Sequence, residues 1–309
     1  AGPTGLVLAA ELVRHGIRCR IIDSLASPSI TSRALAIHAR SVEVFDMMGI
    51  VDRFLNEGWR SYNFVVFDRK KAIVKMPFDR LDSRFSYVLC LPQFVTERIL
   101  ADHLSKLSVN IERSTTLTSL KQFDEFVEAD LIKDDGTTET IKCRWLIGCD
   151  GAQSSVRRLL RLPFKGNTYW EQYVLADVKF ETDLEIQDHY LFSSPEGIAG
   201  FHPFSSTAAR VFADIGRVKV SRENDENMES VRAQFPEPSN EEMQEIFDRR
   251  GPGNVKLTNI HWKSLHRIHR RQVDSYKIGR VFLAGDAAHL HSPTSGQGMS
   301  IGLRDAFTL

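Results

Sequence analysis

The chain switches repeatedly between helical and strand-like spacing of its apolar residues. After Gly2-Pro3-Thr4-Gly5, the residues Leu6, Leu8, Ala9, Leu12 and Val13 recur at helical spacing and stop at Gly16, a residue type suited to closing a helix. Residues 17–23 then read as a short buried strand, so the chain opens in the order turn, helix, strand. Val42, Phe45 and Met48, closed by Gly49, predict a second helix, and Val95, Ile99, Leu100, Leu104 and Leu107 predict a third. Between them, residues 61–91 alternate with period two, an excursion into strands and back. Residues 115–149 read as a β-meander: strand 125–132, the turn Asp134-Asp135-Gly136, strand 138–143, and the apolar strand 145–149. A helix over 154–160 follows. Strand patterns return at 174–180, 198–204 and 210–215, interrupted by an acidic helical stretch around 226–249. Residues 280–284 predict a buried strand delivering Gly285-Asp286, and a loop with glycines opens a last helix near Gly298.

Helix-strand units with an inserted set of strands predict an α/β protein. The expected division is a discontinuous, Rossmann-like nucleotide domain over 1–60, 92–164 and 266–309, and an inserted mixed β-sheet domain over 61–91 and 165–265. The 309 residues, 42% of them hydrophobic, suffice for two cores. Forty basic residues balance forty acidic ones, so no net field draws the chain to nucleic acid or to an anionic membrane. No apolar run reaches the ~20 residues that span a bilayer. Cys19, Cys90, Cys143 and Cys149 form no CxxC pair and no metal-ligand spacing; free buried thiols suit a reducing compartment, and a cytoplasmic location is expected. The first residue is Ala1 and the last residues sit within a helical pattern, so a longer native protein is expected, with a central strand ahead of Ala1.

Three segments carry the chemistry. The first, Ala1-Gly2-Pro3-Thr4-Gly5, is most of a G-x-G-x-x-G turn, in which glycines let backbone approach a pyrophosphate at a helix N-terminus. Asp23, 18 residues after Gly5 at the end of the next strand, is placed to accept hydrogen bonds from an adenosine ribose. The second is Asp150-Gly151-Ala152-Gln153-Ser154-Ser155-Val156-Arg157, which follows an apolar strand and also fits a plain strand-to-helix turn. The third is Gly285-Asp286-Ala287-Ala288-His289 with Ser292-Pro293 and Gly296-Gln297-Gly298-Met299. It can hold a polyol by Asp286 and an electron-rich ring edge by backbone N–H groups.

In this order the three segments resemble those of the flavoprotein aromatic hydroxylases, the group typified by p-hydroxybenzoate and phenol hydroxylases, over nearly the whole chain. The resemblance implies that FAD is the cofactor and NADPH or NADH the co-substrate. Gly2 and Gly5 would line the FAD pyrophosphate, and Asp23, often glutamate in that family, the adenosine ribose. Arg33 would lie near the phosphates and ribityl chain, and Gln93 at a helix start against FAD. Asp150 and Gly151 match the family's "DG" motif, with Arg157 supporting it from the helix. Gly285 and Asp286 match the "GD" motif on the ribityl hydroxyls. Pro293, Gly296, Gly298 and Met299 would form the environment of the reactive flavin edge; no side-chain catalyst is identified. Ser300 departs from the family, which usually has asparagine there.

The implied reaction is hydroxylation of a small aromatic, phenolic substrate by O2 through a flavin C4a-hydroperoxide. A same-fold epoxidase or dehydrogenase for a non-aromatic substrate, and an inactive flavin-fold binding module, remain the alternatives. His202 is a candidate base, though a packed strand histidine fits its sequence better, and Tyr169, Tyr173 and Tyr190 read as packing residues. The histidines of 261–269 are interleaved with cations and lack carboxylate or cysteine partners, so they read as a strand face and no metal is expected. Oligomeric state is not encoded in any of these patterns.

Overall fold

A computed structural model describes residues 1–28, 34–217, 236–292 and 296–309. In chain order the elements are α1 (Pro3–Arg14), β1 (Ile21–Ile22), β2 (Ala36–Ile37), α2 (Ala39–Met47), α3 (Val51–Glu57), β3 (Trp59–Ser61), β4 (Asn63–Asp68), β5 (Lys71–Pro77), β6 (Val88–Cys90) and α4 (Gln93–Lys106). There follow β7 (Ile111–Glu112), β8 (Thr115–Gln122), β9 (Val127–Lys133), β10 (Thr138–Cys143), β11 (Leu146–Gly148), α5 (Ser155–Leu159), β12 (Lys165–Thr182), β13 (Asp188–Ser194), β14 (Gly197–Pro203) and β15 (Ala208–Arg217). The last are α6 (Asn240–Arg250), β16 (Val255–Gln272), β17 (Lys277–Ile278), β18 (Val281–Leu283), a 3-10 turn (Gly285–Ala287), β19 (His289–Leu290) and α7 (Gly298–Thr308). The chain divides into two compact units, 1–57 with 91–167 and 269–309, and 58–90 with 168–268.

The first unit is built from short parallel pairs flanked by helices. β1 pairs with β7 and β11 with β18, each in parallel, and β8, β9 and β10 form the antiparallel meander. The expected meander strand at 145–149 is instead β11. Its partner β18 lies far along the chain, so the strand leaves the meander and joins a parallel pair. The expected strand at 17–23 is ordered as a strand only at Ile21–Ile22. Helices α1, α2 and α4 close as their glycines and apolar spacing predict, with Gly16 at φ 75° and Gly49 at φ 72°. Leu6 and Val7 of α1 and Phe45 of α2 are fully buried.

α1 rests on both parallel pairs because Gly5 keeps it low. A Cβ at Gly5 would stand 3.4 Å from Cys149 Cβ and 3.9 Å from Ile21 Cδ1. Gly148, the last residue of β11, is under sharper constraint: a Cβ there would lie 2.8 Å from both Leu283 Cδ2 and Val156 Cβ. Only a bare backbone lets α5 and β18 pack against that strand end.

The second unit is a mixed sheet with β16, β12, β15, β14, β13, β4 and β5 side by side; β13 and β4 run parallel and the other recorded pairings are antiparallel. Period-two alternation gives it two unlike faces. One face carries Val174, Ala176, Phe201, Val211, Phe192 and their neighbours, and α6 covers it with Met243, Ile246 and Phe247. Phe192 and Phe247 meet edge to face at 6.1 Å. Tyr190 packs in this core, as expected, and its hydroxyl donates to the Glu185 carbonyl. α6 starts with a complete capping box, Ser239 and Glu242 exchanging hydrogen bonds. It occupies the end of the acidic stretch; 226–235 lie outside the described residues. The histidine-rich run 261–269 lies along β16.

Two consequences can be measured. Gly148→Ala forces an overlap with Val156 Cβ, which is fixed to the α5 backbone and cannot rotate away, so denaturant titration should show a loss of about 1–3 kcal/mol. Glu97, 8% exposed on α4, accepts a hydrogen bond from Gln93 Nε2 at 2.8 Å, yet burial raises its carboxyl pKa. Between the unfolded and the raised folded value, the native state holds more protons than the unfolded one. Stability therefore falls as pH rises through that window, from about pH 4 upward. Glu97→Gln keeps the acceptor and should remove this part of the pH dependence while raising the thermal midpoint at neutral pH; an unchanged pH profile would count against it.

Candidate functional site

The first unit gathers the three motif segments around the start of α1. Gly2 precedes α1 in extended backbone, no side chain caps the helix, and Pro3 supplies none of the first-turn N–H groups. A Cβ at Gly2 would meet nothing within 4 Å among the described residues, so their packing does not require glycine there. Thr4, one residue into the helix, is where the turn after β18 and α7 touch. A Cβ at Gly285 would stand 2.7 Å from Thr4 Oγ1, and a Cβ at Gly302 of α7 would stand 2.5 Å from the same atom.

The turn after β18 is held from behind. Gly285 adopts φ 61°, a left-handed conformation that favours glycine. Its N–H donates to Asp305 Oδ2 at 2.9 Å, and His289 Nε2 donates to the same oxygen at 2.7 Å. Asp305 on α7 thus fixes the turn, and Asp286 at its tip remains exposed. Asp305 does not stand out in the sequence, because nothing local marks a contact between a turn and a helix 20 residues later.

The segment 150–157 is tied to that turn by Arg157. Its Nη1 donates to the Ala287 carbonyl at 2.8 Å and its Nη2 to the Ala152 carbonyl at 2.6 Å. The guanidinium lies 3.9 Å from the Phe164 ring centroid. Asp150 Oδ2 accepts from the N–H groups of Ser155 at 2.7 Å and Val156 at 3.1 Å, and Ser154 Oγ accepts from Arg157 N. Asp150 therefore acts as a cap for α5 in this structure, with Gly151 at φ 76° making the turn. Asp23 accepts from Leu25 N and pairs with Arg113 at 2.9 Å.

The start of α7, like those of α1, α2 and α4, has no side-chain cap among the described residues. Gly296 has φ 62°, and a Cβ there would come 3.3 Å from Ala36 Cβ; at Gly298 it would meet the His291 ring at 3.5 Å. Met299 is half-buried in the first turn. Ser300 is used internally: its hydroxyl accepts from His38 N at 3.2 Å and its carbonyl accepts from Ser41 Oγ. Gln93 Oε1 accepts from Ala34 N at 3.2 Å, joining the start of α4 to the segment before β2. Arg33 and Pro293 lie outside the described residues.

The second unit holds a polar row on the sheet face away from its apolar core. Strand register sets Asp177 opposite Arg210 and Arg210 opposite His202. Arg210 donates to both Asp177 oxygens, at 2.7 and 2.8 Å. His202 Nδ1 and His189 Nδ1 are 2.6 Å apart, and His189 Nε2 is 3.3 Å from Cys90 Sγ. Gly200 makes room for the Phe212 ring, which stacks on His202 at 5.5 Å; a Cβ at Gly200 would fall 2.0 Å from that ring. Burial, then His189 and Arg210, hold the His202 pKa well below the ordinary histidine range. Hairpin register would have exposed the histidine pair: Tyr190 pairs with Phe201, so the next residues outward are His189 and His202. The turn 195–196 gave no strong hairpin signal, and β13 was not expected.

Comparison with known proteins assigns the family. The model for the FAD binding domain matches residues 1–309. Pentachlorophenol 4-monooxygenase of Sphingobium chlorophenolicum is 35% identical over 314 residues, covering 100% of this chain and 56% of that protein. Rifampicin monooxygenase of Streptomyces venezuelae is 33% identical over 310 residues, covering 100% of this chain and 61% of that protein. The chain thus spans little more than half the length of these relatives. Among solved structures, p-nitrophenol 4-monooxygenase of Pseudomonas putida superposes with a TM-score of 0.84 at 26% identity, covering 99% of this chain and 75% of that one. The Diels-Alderase of pyrroindomycin biosynthesis has a TM-score of 0.74 at 28% identity, covering 99% and 62%. Matched over its whole length, the chain belongs to the FAD-binding family of the flavin-dependent aromatic hydroxylases.

Proposed function

We propose that the chain is the FAD- and substrate-binding body of a monooxygenase that uses NADPH or NADH and O2 to hydroxylate a small aromatic, phenolic substrate. The observation that carries this reading is the meeting of the first and third motif segments at Thr4, with the second tied to the third through Arg157, in a chain matched over its whole length by the FAD-binding model. The relatives' names support the substrate class: pentachlorophenol and p-nitrophenol are phenols.

The residues present fit FAD. Two helix starts without side-chain caps, at α1 and α7, offer backbone N–H groups to anionic or electron-rich atoms. Gly2 leaves space that the described residues do not fill. In this reading Gly2 and Gly5 line the pyrophosphate, with Asp23 toward the adenosine ribose and Asp286 toward the ribityl hydroxyls. Gly296, Gly298 and Met299 stand beside the ring edge with Pro293, while Arg33 and Gln93 contact the cofactor from the segment before α2 and the start of α4. Asp150 and Gly151 shape the strand-to-helix turn, and Arg157 positions that turn against Gly285-Asp286. The bound flavin supplies the electron and oxygen transfer. The chain orients it, presents N–H groups where its negative charge grows, and keeps water away. The unit 58–90 with 168–268 takes the substrate.

Two experiments test the reading on the full-length protein. Arg157→Met removes two charge-assisted hydrogen bonds and should weaken FAD binding by about tenfold, roughly 1.4 kcal/mol, in a flavin-fluorescence titration. An unchanged affinity would show that the Arg157 tie is irrelevant to the cofactor. For the reaction, a phenol panel should stimulate NADPH or NADH oxidation and yield a product heavier by one oxygen atom. Because the pyrroindomycin Diels-Alderase shares the architecture, product analysis decides. Oxidation giving only peroxide would sink the hydroxylase reading, and a colourless protein that refuses FAD would sink the enzyme reading altogether.

A further inference from the structure

Arg210 is 3% exposed, and its Nε and Nη2 are satisfied by Asp177, but Nη1 is buried without a hydrogen-bond partner among the described residues. An unpaired charged donor inside a protein is destabilising, and such groups point to a ligand that completes them. Packing 5.7 Å from the Trp262 ring offsets only part of that cost. His202 stands across the strand pair from Arg210 and makes no other recorded hydrogen bond than the one to His189.

The row accommodates a proton on His202 Nε2 when the chain of donors starts at the Cys90 thiol. Cys90 is fully buried, and burial pushes its thiol pKa up, so it retains its hydrogen. That S–H, 3.3 Å from His189 Nε2, donates to it and leaves the His189 proton on Nδ1. Nδ1–H then donates across 2.6 Å to His202 Nδ1. A neutral His202 accordingly carries its proton on Nε2, and the depressed pKa keeps the ring neutral near pH 7.

We propose that His202 Nε2–H and Arg210 Nη1–H form a receptor for the anionic oxygen of an ionised phenol or enol, with Cys90 and His189 as positioning residues that set the His202 tautomer. The inference rests on the aromatic-substrate reading above. On binding, the substrate O–H bond breaks and its proton leaves to water; nothing is oxidised or reduced. The ionised oxygen raises electron density on the ring, as hydroxylation requires. The charged or titratable groups recorded in contact with the pair are Asp177 on β12, Arg210 on β15, His189 on β13 and Cys90 behind it on β6. Asp177 neutralises Arg210 overall, so the receptor works through directed N–H dipoles rather than net charge. Phe212, stacked on His202, and Trp262, over Arg210, supply flat apolar walls.

The test uses the full-length FAD-loaded protein with 4-fluorophenol and 4-fluoroanisole, read by fluorine NMR, which reports affinity and ionisation without turnover. Bound 4-fluorophenol should show the phenolate shift at a pH where the free ligand is neutral. Arg210→Lys retains a cation for Asp177 but loses the spare donor. It and His202→Gln should each weaken 4-fluorophenol by about tenfold while leaving 4-fluoroanisole within about twofold. Cys90→Ala should weaken 4-fluorophenol several-fold, and Cys90→Ser, which restores a donor, should recover it. Flavin content and thermal midpoint establish that each variant is folded; should Arg210→Lys fail to fold, His202→Gln decides. Binding as the neutral phenol, or equal losses for both ligands, overturns the receptor and leaves the aromatic-substrate reading standing. Failure of both ligands to bind the unaltered protein overturns both.

Discussion

Close approach of bare backbone to Thr4 is the constraint on which the first unit depends. Gly285 and Gly302 come so near its hydroxyl that neither position has room for a Cβ, and through them the turn after β18 and helix α7 are set against the start of α1. The start of α1 carries the first of the motifs expected to meet the cofactor, and the turn with α7 carries the third, so two segments remote in sequence are set against each other here. Gly148 repeats the device one layer below, where β18 and α5 close on the end of β11. Precision here comes from the absence of side chains. A glycine against the short, β-branched Thr4 or Val156 leaves few rotamers to relax through, so the segments are held at close range.

Polar groups then hold what packing has brought together. Asp305 takes two hydrogen bonds on one oxygen and keeps the Gly285 turn in place, while Arg157 spans from Ala152 to Ala287. Asp150 spends one oxygen on the first N–H groups of α5. This casts the "DG" pair first as a turn-and-cap device that presents Arg157 correctly, and it explains why a strand-to-helix turn and a cofactor motif look alike in sequence. They are the same object, distinguished only by what Arg157 reaches.

Much of this was legible in the sequence because helix ends and motif glycines are local signals. Gly16 and Gly49 end α1 and α2 where left-handed backbone is needed, and apolar spacing placed α4 from Val95 to Leu104. What was not legible depends on partners far along the chain. Residues 146–148 look like one more meander strand until β18 pairs with them, and Asp305 is an ordinary helix acid until the Gly285 turn is folded against it. β13 escaped notice for another reason. Its run Tyr190-Leu191-Phe192 is apolar at every position, so it lacks the alternation that announces a half-exposed strand.

The large sheet shows why alternation alone misleads about function. On a sheet with one wet face, polar residues at alternate positions mean solvent, and His202 and Arg210 alternate with apolar Phe201 and Val211 as such residues would. Here, however, the polar face is not fully wet. Arg210 is almost fully buried and His189 is 5% exposed, and burial depresses the His202 pKa. Sequestering a charge is costly unless its hydrogen bonds are met, and Asp177 meets only part of the demand. A face built solely for stability would have carried the apolar pattern through to β15, as its other side does. Retaining a cation and two imidazoles in one register row instead gives the sheet a directed set of donors between aromatic walls, which is what recognition of an oxygen on a flat ring demands.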